Sequence, residues 1–119
     1  MNTLFLDDDE NRCQLFLKHR PTAYVVHTAQ ECMVALKAFK WDQVFLDHDL
    51  GGPVGFEESN GYNSGTTVVD WIAENKPIVG QFIIHSWNTP RREYMYNCLI
   101  NAGYSAVVIP FGTALLSKV

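Results

Sequence analysis

The sequence predicts an α/β fold, in which helices cover both faces of a five-stranded parallel sheet to give a three-layer sandwich. Two observations lead to this fold. Short apolar runs recur along the chain, and the stretches between them carry apolar residues at helical spacing. Alternating strands and helices form parallel sheets, because each crossover helix returns the chain to the edge where the next strand begins. At 119 residues the chain fits one domain, so we predict a single domain over residues 1–119.

The apolar runs define the strands, and the segments between them define the helices. Strands are predicted over residues 3–6, 23–27, 43–46, 80–85 and 106–109. Helices are predicted over residues 11–18, 29–39, 66–75, 90–102 and 112–119. The glycine-rich stretch 50–65 is unusually long for a connection inside a compact domain, and such loops are often functional.

Helix ends and apolar faces support these assignments. Asp9 precedes the first helix, Thr28 is the predicted N-cap of the second, and Gly103 is the glycine after the fourth. Leu15 and Phe16 are the predicted buried residues of the first helix. Helical spacing predicts a further set of buried residues, namely Cys32, Ala35, Leu36, Phe39, Val68, Val69 and Ile72.

Composition and charge narrow the class of protein. Hydrophobic residues make up 47% of the chain and charged residues 18%, which is typical of folded globular proteins and not of disordered ones. The net charge is −4, and basic residues are scattered apart from Arg91 and Arg92. The sequence therefore predicts no groove for a long nucleic acid, whereas a small phosphate ligand or an RNA terminus remains compatible.

The cysteines and the chain start indicate a cytoplasmic protein. The three cysteines are odd in number and lack CxxC spacing or neighbouring histidines, so neither a disulfide framework nor a zinc finger is indicated. We expect buried thiols in a reducing compartment. No signal-peptide pattern and no apolar stretch long enough for a membrane span is visible, so we expect no membrane association.

Acidic residues follow the first and third predicted strands. Asp7 and Asp8 end the first strand, and Asp47, His48 and Asp49 end the third. If these strands are neighbours, as in the flavodoxin-like order 2-1-3-4-5, the carboxylates share one sheet edge and repel each other without a cation. Strand-end solubility or helix capping explains each of them singly but explains all of them poorly. We therefore predict a Mg²⁺ or Mn²⁺ site formed by Asp7, Asp8, Asp47 and Asp49, with Asp8 and Asp47 as direct ligands and Asp7 acting through water.

Polar residues also follow the fourth strand and predict a phosphate site at the same edge. Ser86 and Asn88 offer hydrogen bonds, and Thr89, an expected N-cap, begins a helix whose free N–H groups bind anions. A single histidine after a strand is usually structural. The pair His48 and His85 favours catalysis, because imidazoles both take and give protons near neutrality. We predict His48, His85 and Asp47 as catalytic residues, with Asp47 as a possible covalent nucleophile.

The chain resembles the receiver domain of bacterial response regulators over nearly its full length. Asp7 and Asp8 match the acidic pair after the first strand, Asp47 matches the phospho-accepting aspartate, and Ser86 matches the hydroxyl after the fourth strand. This resemblance implies Mg²⁺ held by the carboxylates. Receivers place a lysine that contacts the phosphoryl group directly before a proline, and this chain has Ile109 there.

His48, His85 and Asn88 are additions to the receiver pattern, and with them the chain looks like the receiver-like family described as cyclic-phosphate processing domains. That resemblance implies a metal-dependent phosphoesterase acting on a cyclic or terminal phosphate, with a small nucleotide or an RNA 3′-end as its partner. Two alternatives stay open. One is a non-catalytic or phospho-accepting receiver-like signalling or binding module. The other is a haloacid-dehalogenase-like phosphatase, which leaves the acidic end of the third strand unexplained.

Overall fold

The computed structural model describes residues 2–47, 65–86 and 89–112. Within these ranges, five parallel strands form one sheet in the order β2-β1-β3-β4-β5, as the sequence predicts. The strands are β1 (Thr3–Leu6), β2 (Tyr24–Val26), β3 (Trp41–Leu46), β4 (Val79–Ile84) and β5 (Ala106–Val108). The helices are α1 (Glu10–His19), α2 (Ala29–Ala38), α3 (Gly65–Asn75) and α4 (Thr89–Asn101).

Side chains alternate along the strands, so that each face of the sheet has its own core. On one face, residues such as Leu4, Val44 and Phe82 pack against α2, α3 and α4. On the other face, α1 packs on a cluster made of Phe5, Cys13, Phe16, Phe45 and Ile83. The predicted inward residues Val68, Val69 and Ile72 of α3 are fully buried. None of the described helices combines the length and the hydropathy needed to cross a bilayer.

Two predicted core residues lie outside the core. Leu15 is 45% exposed, because the inward face of α1 is formed by Cys13 and Phe16, three residues apart. Phe39 is 62% exposed, because it is the C-cap of α2 and its backbone has already turned to an extended conformation. Helical spacing identifies a face but does not say where the helix stops or how wide the contact is.

N-caps begin the first two helices, and Thr28 takes this position as predicted. Asp9 caps α1 by accepting a hydrogen bond from the N–H of Arg12, and Thr28 caps α2 in a reciprocal capping box with Glu31. Gly103 follows α4 with a φ of 98°, a conformation that favours glycine. The predicted helix over residues 112–119 lies almost wholly outside the described residues, as does most of the 50–65 loop.

Candidate functional site

The carboxylates after the first and third strands meet at the carboxyl edge of the sheet. Asp7 follows β1 and Asp47 follows β3, and the pairing of Phe5 with Phe45 sets these strands side by side. One carboxylate oxygen from each of Asp7, Asp8 and Asp47 lies within 4.8 Å of the others. Asp7 and Asp47 are 0% and 6% exposed, whereas Asp8 faces solvent. The three carboxylates are close enough to share one cation.

Arg12, which was not among the predicted site residues, brings a positive charge to this edge. Its Nε donates to Asp7 Oδ2 at 2.7 Å and its Nη2 donates to Asp7 Oδ1 at 2.8 Å, a bidentate pair. Nη2 also lies 3.6 Å from Asp47 Oδ2, and Nη1 lies 3.7 Å from Asp9 Oδ2. The hydrogen bonds to Asp7 raise the pKa of the Arg12 guanidinium above its ordinary value. Arg12 therefore stays charged and offsets part of the negative charge of the edge.

The N-terminal turn of α1 holds Arg12 in place. Asp9 Oδ1 accepts a hydrogen bond from the Arg12 N–H at 3.0 Å, and the Asp9 N–H donates to Asp7 Oδ1 at 2.9 Å. A basic residue in the first turn of a helix opposes the helix dipole, so it needs a compensating partner nearby. That mismatch is the sequence signal by which Arg12 could have been found.

Asp8 is the most exposed carboxylate of the three, and its pKa depends on its partial burial and on the charges around it. Partial burial raises the pKa of Asp8 above its ordinary value, and the neighbouring charge of Asp7 adds to the rise. A cation at this position would favour the ionised carboxylate and oppose both effects.

The predicted metal ligands differ in how far their carboxylate oxygens are already engaged in hydrogen bonds. Both oxygens of Asp7 already accept hydrogen bonds from Arg12, and one also accepts from the Asp9 N–H. Asp8 and Asp47 are therefore the carboxylates best placed for direct coordination, and Asp7 is better suited to a contact through water. Such a set of few carboxylates with room for several waters is what Mg²⁺ favours. Asp49, the fourth predicted ligand, lies outside the described residues.

His85 lies beneath the acidic edge and is 1% exposed. Its ring stacks on Phe5 with centroids 4.9 Å apart, and its Nε2–H donates to the carbonyl oxygen of Leu6 at 3.1 Å. That bond assigns the proton to Nε2, so the Nδ1 lone pair points toward Asp7 Oδ2, 3.7 Å away. Nδ1 has no hydrogen-bond partner among the described residues. Burial lowers the pKa of His85 to about 4, so the ring is neutral near neutral pH.

The other predicted site residues are divided between described and undescribed parts of the chain. Ser86 follows β4 directly after His85 and is buried, with 1% exposed. Thr89 is exposed and is the first residue of α4, whereas the sequence predicts it as the N-cap before the helix. Ser86 thus lies at the end of β4, the strand that neighbours β3, and Thr89 lies at the amino end of α4. His48 and Asn88 lie outside the described residues.

Ile109 marks the largest departure from the receiver pattern within the described site. It follows β5 at the position where receivers have a lysine, and its N–H donates to the carbonyl oxygen of Ile84 at 2.9 Å. Its side chain packs against the core cluster beneath α1. This position therefore contributes apolar contact and no positive charge.

The fold is shared with receiver domains of known structure. The signal receiver domain of a putative Luxo repressor protein from Vibrio parahaemolyticus is 19% identical with a TM-score of 0.68, and the match covers 98% of this chain and 84% of that one. A response regulator from Colwellia psychrerythraea is 16% identical with a TM-score of 0.64, covering 97% and 90%. The receiver domain of the Francisella response regulator 1452 is 14% identical with a TM-score of 0.60, covering 93% and 85%. At such identities the likeness shows the fold alone.

Sequence comparison with family models is more specific. No curated protein matches the chain closely enough to count as a relative. The model of the cyclic-phosphate processing receiver domain, however, matches residues 2–101, which include every described carboxylate of the acidic edge together with Arg12 and His85. Both the described fold and this match agree with the resemblance drawn from the strand-end motifs. The chain therefore belongs to the family of cyclic-phosphate processing receiver domains.

Proposed function

We propose that this protein is a metal-dependent phosphoesterase that acts on a cyclic or terminal phosphate of a nucleotide or an RNA end. The observation that carries the proposal is the convergence of Asp7, Asp8 and Asp47 within 4.8 Å at the carboxyl edge of the sheet. Ligands of open parallel sheets bind at this edge, where the strand order reverses. Membership of the cyclic-phosphate processing family supports phosphate as the ligand.

In this proposal Asp8 and Asp47 hold a Mg²⁺ or Mn²⁺ ion, with Asp49 as a further ligand suggested by the sequence. The bound ion supplies positive charge against the phosphate oxygens. Asp7 would keep its bidentate bond to Arg12 and contact the ion through water. The Arg12 guanidinium lies 3.6 Å from Asp47 and its side chain is 34% exposed, so Arg12 is also proposed to attract an anionic substrate to this edge.

The histidines take different roles. His48 is the proposed general base or acid, because it adjoins Asp47 in the chain and an imidazole exchanges protons near neutrality. His85 is proposed as a positioning residue: its ring is buried, and its Nε2–H donates to the carbonyl oxygen of Leu6, which holds the end of β1 directly before Asp7. The hydroxyl of Ser86 and the amide of Asn88 are proposed to bind phosphate oxygens, together with the amino end of α4 at Thr89.

A second candidate function is a receiver-like module that takes phosphate on Asp47 or binds a partner without turnover. The likeness of the fold to signal receivers favours it. The apolar packing of Ile109 weighs against it, because no lysine stands at that position to contact an aspartyl phosphate. We therefore rank this module second.

The two functions are separated by incubating the protein with a 2′,3′-cyclic mononucleotide and Mg²⁺, and in parallel with a small phosphodonor. The phosphoesterase hydrolyses the cyclic phosphate, and His48→Ala lowers the rate by at least about 100-fold. Glu74→Gln, which removes an exposed carboxylate from α3, serves as the control and leaves the rate unchanged. Absence of hydrolysis together with a stable aspartyl phosphate on Asp47 would overturn the proposal in favour of the signalling module.

A further inference from the structure

Glu10, Cys13 and His27 place a carboxylate, a thiol and an imidazole next to one another beside the acidic edge. One possible ligand atom from each residue lies within 4.8 Å of the other two. His27 Nε2 is 3.5 Å from Glu10 Oε1. These three residues, the Glu10–Cys13–His27 cluster, share no member with the carboxylates of the proposed phosphoesterase site.

The fold brings this cluster together from two elements. Glu10 and Cys13 are three residues apart in the first turn of α1 and lie on one face of that helix. His27 follows β2 directly, and β2 is the edge strand next to β1. The Asp7 N–H donates to the carbonyl oxygen of Val26 at 3.1 Å, which fixes the end of β2 against the start of the turn that leads into α1. The cluster therefore joins α1 to the end of β2.

The cluster is buried on one side and open to solvent on the other. Cys13 is 1% exposed, whereas Glu10 and His27 are exposed on the surface above it. The Cys13 Sγ donates to the carbonyl oxygen of Asp7 at 3.3 Å, so the sulfur points toward the polar sheet edge and not only into the apolar core. A metal ion could enter from solvent between the two exposed side chains and meet the sulfur beneath them.

We propose that Glu10, Cys13 and His27 bind a thiophilic divalent ion of the Zn²⁺ type. One sulfur, one imidazole nitrogen and one carboxylate oxygen are the three kinds of protein ligand that Zn²⁺ accepts, and a water completes its tetrahedron. Mg²⁺ avoids thiolates, so the two sites of this sheet edge select different ions. On binding, the S–H bond of Cys13 breaks and its proton passes to solvent. The thiolate sulfur then coordinates the metal, and the neutral imidazole of His27 coordinates it through a ring nitrogen.

The ion would connect α1 to the end of β2 near the residues that hold Arg12. The same first turn of α1 carries Asp9, the N-cap, and Arg12, the partner of Asp7. Because the ion binds the folded chain and not the unfolded one, its binding stabilises the fold. The inference stands independently of the proposed phosphoesterase function.

Titration of the metal-free full chain with Co²⁺ tests this site, because Co²⁺ replaces Zn²⁺ and reports its own ligands by absorption. We expect a near-ultraviolet thiolate-to-cobalt charge-transfer band that saturates at one equivalent and disappears on addition of Zn²⁺. Cys13→Ser abolishes the band, while its hydroxyl still donates to the Asp7 carbonyl. Cys32→Ser is the matched control, since Cys32 is also a buried free thiol, and it keeps the band.

Two further variants keep the outcome decisive. His27→Gln, an exposed substitution that spares the core, weakens Co²⁺ binding by at least about 10-fold. Asp47→Asn leaves the charge-transfer band unchanged, whereas the proposed Mg²⁺-dependent hydrolysis depends on Asp47. Absence of the band in the wild-type chain, or a band that survives in Cys13→Ser, would overturn the zinc site whether or not the phosphoesterase proposal holds.

Discussion

Arg12 and the buried Asp7 form a bidentate ion pair, with Nε–Oδ2 and Nη2–Oδ1 distances of 2.7 and 2.8 Å. The pair ties the first turn of α1 to the end of β1. It also places a positive charge beside the carboxylates of Asp7, Asp8 and Asp47, which converge at this edge. The acidic edge is thus partly neutralised by the chain itself.

Arg12→Ala is expected to destabilise the fold by about 3 kcal/mol, because it leaves the carboxylate of Asp7 buried without a counter-charge. Chemical denaturation in metal-free buffer measures this change. Arg20→Ala is the control, since Arg20 donates to the neutral side-chain oxygen of Gln43 and its removal strands no buried charge. In the double variant Arg12→Ala with Asp7→Asn, most of the loss is recovered. An equal loss in the single and double variants would contradict the ion-pair account.

Mg²⁺ is expected to stabilise Arg12→Ala more than it stabilises the wild-type chain. Without the guanidinium, the carboxylates of the edge repel each other more strongly and attract a cation more strongly. At a Mg²⁺ concentration about 100 times its dissociation constant, binding adds about 2.7 kcal/mol to the free energy of unfolding. Thermal unfolding with and without Mg²⁺ checks this. A smaller shift for the variant than for the wild type would count against a cation site beside Arg12.

His85 makes the stability of the fold depend on pH. Its folded-state pKa of about 4 is lower than the ordinary value of 6.5, because burial disfavours the charged ring. Below pH 6.5 the unfolded chain takes up a proton on His85 that the folded chain does not. The contribution of His85 to the free energy of unfolding is therefore complete above about pH 6.5 and is lost as the pH falls to about 4. The loss over this window is about 3 kcal/mol.

Denaturation between pH 4 and 7 in the presence of a chelator measures this pH dependence. His85→Gln retains an amide N–H for the Leu6 carbonyl and does not titrate, so its stability curve is flatter than that of the wild type over this window. Parallel curves would show that His85 is not the responsible group. Because His85 is proposed to hold the end of β1 through the Leu6 carbonyl, a bond that the glutamine amide keeps, His85→Gln also reduces turnover far less than His48→Ala does.

Gly80→Ala is expected to destabilise the fold by disturbing the pairing of β4 with β3. A Cβ at residue 80 would lie 2.7 Å from the backbone carbonyl oxygen of Asp42, which cannot move without shifting the strand. We expect a loss of about 1–3 kcal/mol in the free energy of unfolding. Ala73→Gly, on an exposed position of α3, is a control that changes helix propensity without a clash and costs about 1 kcal/mol. A Gly80→Ala chain as stable as the wild type would contradict the close approach of these strands.

The sheet was predictable because its signals are local. The apolar runs identify all five strands, and the carboxylates after β1 and β3 indicate that those strands are neighbours. Strand ends differ from the prediction: β3 begins at Trp41, two residues earlier, because the Trp41 N–H donates to the carbonyl oxygen of Ile78. That contact joins residues far apart in the chain, and no local pattern reports it.

The site was only partly predictable. Asp7, Asp8 and Asp47 converge as expected, since parallel strands end at one edge. Arg12 was missed although its position in a first turn opposes the helix dipole, because its partner is recognisable only once α1 is placed against β1. The proximity of Cys13 to His27 could not be predicted for the same reason, because the two residues belong to different elements that the fold brings together.

The rate of 2′,3′-cyclic AMP hydrolysis, followed by ³¹P nuclear magnetic resonance as a function of Mg²⁺ concentration, tests the proposed function most directly. We expect the cyclic phosphate signal to convert to a monophosphate signal at a rate that saturates with Mg²⁺ and vanishes with chelator. Asp47→Asn lowers that rate at least about 100-fold, while Glu74→Gln keeps it. A cyclic phosphate signal that stays unchanged with the wild-type chain, or that decays equally fast with Asp47→Asn, would contradict a metal-dependent phosphoesterase at this edge.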